Sequence, residues 1–358
     1  MTKLVEIGQR HVGKGQPCFI TYEAGPTHDG LDSAKELARL ASGAGADAIK
    51  FQIFNVDRLV NDRSLPFDYK VLIDRATGET ETVSEPLYDI LQRRALKREE
   101  WLQLKQYCDE LGLAFFATVG DEDDIELLQE MKCDSIKIAS SDVNHFPLLR
   151  QVARTGMCVQ LDTGNATLGE IEQAVDLLRQ EGNERIIIHN CPSGYPARID
   201  SINLRLLQTL KQMFEVPCAY SDHTPGAEMD IAAVAMGANM VEKTITLDRM
   251  TRSVEHIMSL EPSEMSEFIE TIRQVERAMG SPRRILEPEE LEKRTRMRRS
   301  VVLAESVKQG EKLGDATVRF SRPGDGLSPA EYEGLQDAFF KQALETGTMV
   351  SRNMLVMK

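Results

Sequence analysis

The chain has 358 residues, 41% of them hydrophobic, and its 43 Lys and Arg against 57 Asp and Glu give a formal charge of −14. That length allows one large barrel with a small module, or two mid-sized folds. The acidity argues against nucleic acid as a main partner, although local Lys and Arg can still bind small anions.

No stretch has the length and apolarity of a membrane span. Gly8, Gln9, Arg10 and His11 come too early to leave an apolar signal-peptide region. Six cysteines, Cys18, Cys108, Cys133, Cys158, Cys191 and Cys218, form no CxxC pair. They suggest neither a zinc knuckle nor a redox motif, and a reducing cytoplasm is expected.

Eight short apolar runs read as strands: Cys18–Glu23, Ala48–Gln52, Ala114–Thr118, Ser135–Ala139, Met157–Asp162, Arg185–His189, Pro217–Ser221 and Met240–Thr244. Between them lie amphipathic patterns at Ser33–Ser42, Arg98–Leu111, Asp121–Met131, Phe146–Arg154, Leu168–Arg179, Leu204–Phe214 and Ala227–Ala235, and Pro262–Ala278 follows the last. Apolar strands alternating with helices predict a parallel sheet, and eight units predict a (β/α)8 TIM barrel. The rival is a doubly wound open sheet, but Glu23-Ala24-Gly25-Pro26 is not the GxGxxG turn it calls for. Val56–Lys97 is too long for a plain connection and reads as a substrate-covering excursion that carries Phe67, Tyr69 and Tyr88.

After Gly280 the pattern changes. We expect the barrel over 1–281, a charged linker over 282–297 and a small, mostly β module over 298–358. The module shows strand-like pieces at Val301–Leu303 and Thr317–Phe320 and a helical piece near Glu331–Ala343.

In a barrel the C-terminal strand ends share one site. Here they carry Glu23, Lys50, Gln52, Thr118, Lys137, Ser140, Asp162, His189, Ser221, His223, Glu242 and Thr244. A lysine ending an apolar strand is costly to bury unpaired. Lys50 and Lys137, with Ser and Thr hydroxyls, suit a phosphate or carboxylate ligand. Pairing with a core carboxylate and a Schiff-base role remain open. His223, beside Asp222, suits a metal ligand or a general base, and a satisfied core histidine is the plain alternative.

Seven motifs in order resemble the sialic acid synthase family. They are Glu23-Ala24-Gly25-Pro26-Thr27-His28-Asp29-Gly30, Ala44–Gln52, Lys137-Ile138-Ala139-Ser140, Thr163–Leu168, Cys191–Pro196, Ser221-Asp222-His223-Thr224, and Arg322-Pro323-Gly324-Asp325-Gly326-Leu327-Ser328-Pro329. The last is similar to the turn of an antifreeze-like (SAF) domain.

The resemblance implies condensation of phosphoenolpyruvate with an N-acylated aldose, such as N-acetylmannosamine, with C–O cleavage and phosphate release. It implies Glu23, Lys50 and Lys137 as catalytic residues. Lys50, Thr118, Lys137, Ser140 and Ser221 would hold phosphoenolpyruvate, and Gln52, Tyr195, Glu255 and Arg322 the sugar. A manganese or magnesium ion would polarise the aldehyde. A domain-swapped homodimer would bring Arg322 to the partner's sugar, although anchoring its own turn is another use for that arginine.

The chain departs from the family where a second histidine ligand is usual, and has Thr244 there. Threonine is a poor ligand beside imidazole. His256 is the expected replacement partner of His223, and a one-histidine site filled out by water is the rival. Other phosphoenolpyruvate-condensing ulosonic acid synthases, a Schiff-base aldolase and a non-catalytic carbohydrate-binding relative are the competing readings.

Overall fold

The eight apolar segments pair in parallel, in chain order, and close on themselves. They are β1 (Phe19–Glu23), β2 (Ala48–Gln52), β3 (Ala114–Thr118), β4 (Ser135–Ile138), β5 (Cys158–Asp162), β6 (Ile186–Asn190), β7 (Cys218–Asp222) and β8 (Met240–Thr244). Closure is made by β8 against β1, with Thr244 level with Glu23. That pairing removes the open-sheet rival. The structure is a computed structural model and describes residues 4–357. The chain divides into two compact units, one ending at Gly280 and one beginning at Ser281.

The strands are apolar because both their faces are covered, by barrel interior on one side and helices on the other. Each outer helix turns an apolar stripe inward. In Phe146–Arg154 the buried residues are Leu148, Leu149, Val152 and Ala153, spaced at helical intervals. The sequence also marks where helices begin. Asp121 caps Glu122–Glu130 by accepting from the Asp123 and Asp124 amides, and Thr167 caps Leu168–Gln180 through the Glu170 amide.

An antiparallel hairpin, Val5–Ile7 with Arg10–Val12, precedes the barrel and has no counterpart in the sequence reading. Its Val5, Ile7 and Val12 are buried with Phe19, Ala48 and Met240, the first residues of β1, β2 and β8. It thus fills that mouth of the barrel and leaves the opposite mouth for chemistry. Strands of three residues carry too little pattern to be read from sequence.

The long excursion is not a loop. It holds the short helix Val56–Leu59, an antiparallel ribbon of Pro66–Asp74 with Glu79–Pro86, and the helix Leu87–Gln92. Tyr69, Val71 and Ile90 form a small apolar cluster with Val254, a residue that follows β8. The excursion is therefore packed onto the barrel's C-terminal side.

In the second unit, the segment expected as a charged linker contains a helix, Pro288–Met297, with a proline at its first turn. Ser300–Leu303 pairs antiparallel with Val318–Ser321. The helix expected near Glu331–Ala343 is confined to Pro329–Leu335, and Phe339–Phe340 turns to pair with Leu355–Val356.

Candidate active site

Glu23, Lys50, Glu242, Lys137 and Asp162, from five strands, form one chain of ion pairs. Lys50 Nζ pairs with Glu23 Oε2 and lies 2.9 Å from Glu242 Oε1. Lys137 Nζ lies 2.7 Å from Glu242 Oε2 and 3.0 Å from Asp162 Oδ1. All five are buried. Register explains the meeting: Glu23 is level with Lys50, and Ser221 with Glu242, so their side chains share the barrel's inner face. Ser221 Oγ donates to Glu242 Oε1 at 3.1 Å.

The charges set the acidities. Burial alone would raise the Glu242 carboxyl, but Lys137 and Lys50 outweigh it and hold it well below the usual range. Burial raises Glu23 and Asp162, and the lysines only partly offset that. Glu23 is therefore one of the cavity carboxyls suited to accept and return a proton.

His189 supports Lys137 as a neutral imidazole. The Ser135 hydroxyl donates to the Cys158 carbonyl, so it accepts from Gln160 Nε2 at 2.8 Å. Gln160 Oε1 then faces His189 Nε2 at 3.0 Å, which must carry the proton. The free lone pair on Nδ1 accepts from Lys137 Nζ at 3.3 Å. Burial and the Lys137 charge push the His189 pKa well below normal, in keeping with this tautomer.

The turn carrying His223 is anchored from below. Asp222 ends β7, pairs with Lys243, and accepts from the Thr224 amide at 3.1 Å and the Tyr220 hydroxyl at 2.8 Å. Lys243 Nζ also donates to the Thr224 carbonyl at 2.6 Å. Above this, His223 Nδ1 donates to the Pro192 carbonyl at 3.0 Å, leaving Nε2 a lone pair. The Tyr195 ring packs on the imidazole, centroids 4.7 Å apart. Burial lowers the His223 pKa, so the ring is neutral.

A cavity of about 700 Å³ covers these groups. That volume holds two small substrates at once. Of the residues expected at the site, Glu23, Lys50, Gln52, Thr118, Ser140, Tyr195, His223 and Glu255 line it. Lys137 and Ser221 do not; they lie beneath the lining, tied to Glu242. Arg322 belongs to the second unit, where its Nε donates to the Met297 carbonyl at 2.8 Å.

His256 does not join His223. It is buried and absent from the cavity lining, and its Nδ1 is 2.7 Å from Thr246 Oγ1. Burial and then the Arg94 charge lower its pKa to about 4. The chain turns between the neighbours: Glu255 adopts a left-handed conformation, φ 69°, and faces the cavity while His256 starts a short 3-10 turn. Thr244 is buried with Oγ1 3.5 Å from Glu255 Oε2. Burial, then Glu23, raises the Glu255 carboxyl to about 8.

Among the described residues no three His, Cys, Asp or Glu side chains gather as a closed metal cage. His223, with its Nε2 lone pair, and the Glu255 carboxyl both line the cavity, and each is a donor that a hard divalent cation accepts when water fills its other positions. The backbone bond to Nδ1 is the support such a ligand uses.

Arg94 is a lining residue that the sequence reading did not name. Its signal was present: Leu87, Ile90, Leu91 and Arg94 follow at helical spacing, which puts an arginine on the apolar face.

His28 is buried, both ring nitrogens lack hydrogen-bond partners, and its ring meets Phe51 and Trp101 edge-on. Burial, then Arg94, lowers its pKa from 6.5 to about 4. Between those values the unfolded chain binds a proton that the native protein does not. Stability is therefore full above pH 6.5 and is lost as pH falls towards 4. His28→Phe should flatten this slope by about one proton in urea unfolding followed across that range. An unchanged slope would show that the native imidazole is protonated.

A closed (β/α)8 barrel with a polar, ion-paired cavity at the C-terminal mouth is the architecture of a barrel enzyme. The chain belongs to the NeuB family, whose model matches residues 37–284. It is 32% identical to the N,N'-diacetyllegionaminic acid synthase of Legionella pneumophila over 341 residues, 94% of each chain. It is 33% identical to the human N-acetylneuraminate-9-phosphate synthase over 84% of this chain and 82% of that one. Among solved structures, the N-acetylneuraminic acid synthetase of Leptospira borgpetersenii is 30% identical, with a TM-score of 0.70 over 82% of this chain and 95% of that one.

Proposed function

We propose that this chain is a nonulosonic acid synthase that condenses phosphoenolpyruvate with an open-chain N-acylated aldose. The observation that carries the reading is the ladder Glu23–Lys50–Glu242–Lys137–Asp162 under a two-substrate cavity, in a chain of this family. Lys50 faces the cavity, with the Thr118 and Ser140 hydroxyls lining it nearby, a set suited to a phosphate and a carboxylate. Lys137 and Ser221 act from below, by fixing Glu242 and so the position of Lys50. Gln52, Tyr195 and Glu255 line the acceptor's share of the space.

The C3 carbon of phosphoenolpyruvate bonds to the aldehyde carbon, whose oxygen takes a proton. Water then adds at C2, and the C2–O bond breaks to release inorganic phosphate and leave a ketone. The balance is phosphoenolpyruvate, aldose and water in, ulosonic acid and phosphate out. Glu23, held by the Gly25 amide at 2.5 Å and by Lys50, orients that water and takes its proton. A magnesium or manganese ion held by His223 Nε2 and Glu255 would supply polarisation of the aldehyde oxygen.

Residues 298–358 are read as an SAF-like domain that brings Arg322 to the acceptor of a partner subunit in a domain-swapped homodimer. The six cysteines are free and buried, which suits work in the cytoplasm. Among the described residues no helix is long and apolar enough to cross a membrane.

Phosphate release tests the reading. Purified protein with manganese or magnesium should release phosphate from phosphoenolpyruvate only when an N-acylated aldose is added. Singly and doubly acylated hexoses, with and without a phosphate ester, form the panel. No release with any of them would overturn the assignment; release with a non-acylated pentose phosphate alone would favour a shorter ulosonic acid synthase.

A further inference from the structure

Arg93 and Arg94 are neighbours with opposite fates. Arg93 reaches the surface, and its guanidinium makes two bonds to the Glu85 carboxylate, at 2.9 and 2.7 Å. Arg94 is only 4% exposed and lines the cavity, yet its Nη2 has no hydrogen-bond partner. A guanidinium carries five N–H groups and leaves them unmet in a protein interior only at considerable cost. Such a group, inside a cavity sized for substrates, is matched to something the cavity receives.

Two features narrow what that is. The helix that delivers Arg94 also places Leu87, Ile90 and Leu91 on the cavity wall, where Phe67 and Val254 join them. A carbonyl beside a small apolar group fits this wall; a phosphate does not. The lining also carries six carboxyl groups, from Glu23, Asp62, Asp142, Asp162, Glu242 and Glu255, against two side-chain cations, Lys50 and Arg94. Lys50 is already paired with Glu23 and Glu242, so Arg94 is the lining cation left to meet the acceptor, and the apolar side chains around it favour a neutral carbonyl over a phosphate.

We propose that Arg94 is a specificity-determining residue: it donates to the amide carbonyl of the acceptor's N-acyl group, whose methyl lies against the Leu87–Leu91 wall, and the enzyme takes an uncharged acylated aldose in preference to its phosphate ester. This rests on the condensing reaction proposed above and names the acceptor class that the same cavity admits.

The test compares wild type, Arg94→Met and Arg94→Lys with N-acetylmannosamine, mannose and N-acetylmannosamine 6-phosphate. Wild type should prefer N-acetylmannosamine to both others. Arg94→Met should lower kcat/KM for N-acetylmannosamine by about tenfold to a hundredfold, the effect of losing a charged hydrogen bond. Mannose should hardly change, and the KM for phosphoenolpyruvate should stay within about twofold, since one apolar exchange on the acceptor side leaves its ligands in place. Arg94→Lys keeps the charge and should recover only part of the preference.

Equal losses on N-acetylmannosamine and mannose would reduce Arg94 to a structural role and overturn the proposal. So would a raised KM for phosphoenolpyruvate alone, or a wild-type preference for the phosphate ester that Arg94→Met abolishes. Calorimetric binding of N-acetylmannosamine without phosphoenolpyruvate separates the two claims. Wild-type binding that Arg94→Met weakens, without turnover, sinks the synthase reading and keeps the contact. Turnover with binding unchanged by Arg94→Met sinks the contact and keeps the synthase reading.

Discussion

Replacing Glu242 with leucine is expected to remove about 3–5 kcal/mol of stability, because it leaves two buried lysines without a shared partner. Glu242 spans Lys50 and Lys137 at 2.9 and 2.7 Å and is itself 3% exposed. A loss of that size is a large part of a domain's usual 5–15 kcal/mol, at roughly the scale where folding fails in the cell. Glu242→Gln keeps the shape and one oxygen acceptor and should lose less, which keeps the test readable if the leucine variant does not fold. The carboxyl is held below its unfolded value, so its stabilising share is present above the ordinary carboxylate range and is lost as pH falls through the folded value. Urea unfolding of both variants is the measurement. A loss under about 1 kcal/mol for the leucine variant would mean that the lysines find other partners and that the ladder is not a unit.

The second large effect is expected at His223. His223→Asn should lower kcat/KM about a thousandfold or more, the several kcal/mol by which a cation stabilises charge at a carbonyl oxygen. It should also weaken manganese binding in direct titration, a readout independent of turnover. His256→Asn should leave manganese binding unchanged, because His256 faces Thr246 and not the cavity. Weakened binding in His256→Asn with none in His223→Asn would reverse the two roles.

The barrel was legible because each strand is short, apolar and followed by a helical stripe, and those patterns have different periods. Strand ends shifted by a residue or so, and one shift matters: β7 ends at Asp222, so that carboxylate is a buried anchor for Lys243 and Thr224. The polar tips were legible too, since a lysine at the end of Ala48–Gln52 or Ser135–Ile138 has no reason to sit in an apolar strand unless it is used. How the tips pair was not legible. Linear sequence does not say that Glu242 lies between Lys50 and Lys137, because that depends on barrel closure and register. The same limit applies to His256. Adjacency to Glu255 suggested a shared site, but the left-handed turn at Glu255 sends the two side chains to different surroundings. Arg94 stays hidden as long as Val56–Lys97 is taken as one substrate-covering excursion with no helix of its own. Read as a helix, Leu87–Gln92 puts the residue after Arg93 on the buried face.

The ladder and cavity are proposed to serve carbon–carbon bond formation from phosphoenolpyruvate, with departure of phosphate through its carbon–oxygen bond. The most direct measurement uses phosphoenolpyruvate with heavy oxygen in the bridge between C2 and phosphorus, an N-acylated aldose as acceptor, and mass spectrometry of both products. The label is expected in inorganic phosphate, with ordinary oxygen from water in the ketone of the new sugar acid. Label retained on the organic product, or phosphate released with no sugar acid formed, would contradict it.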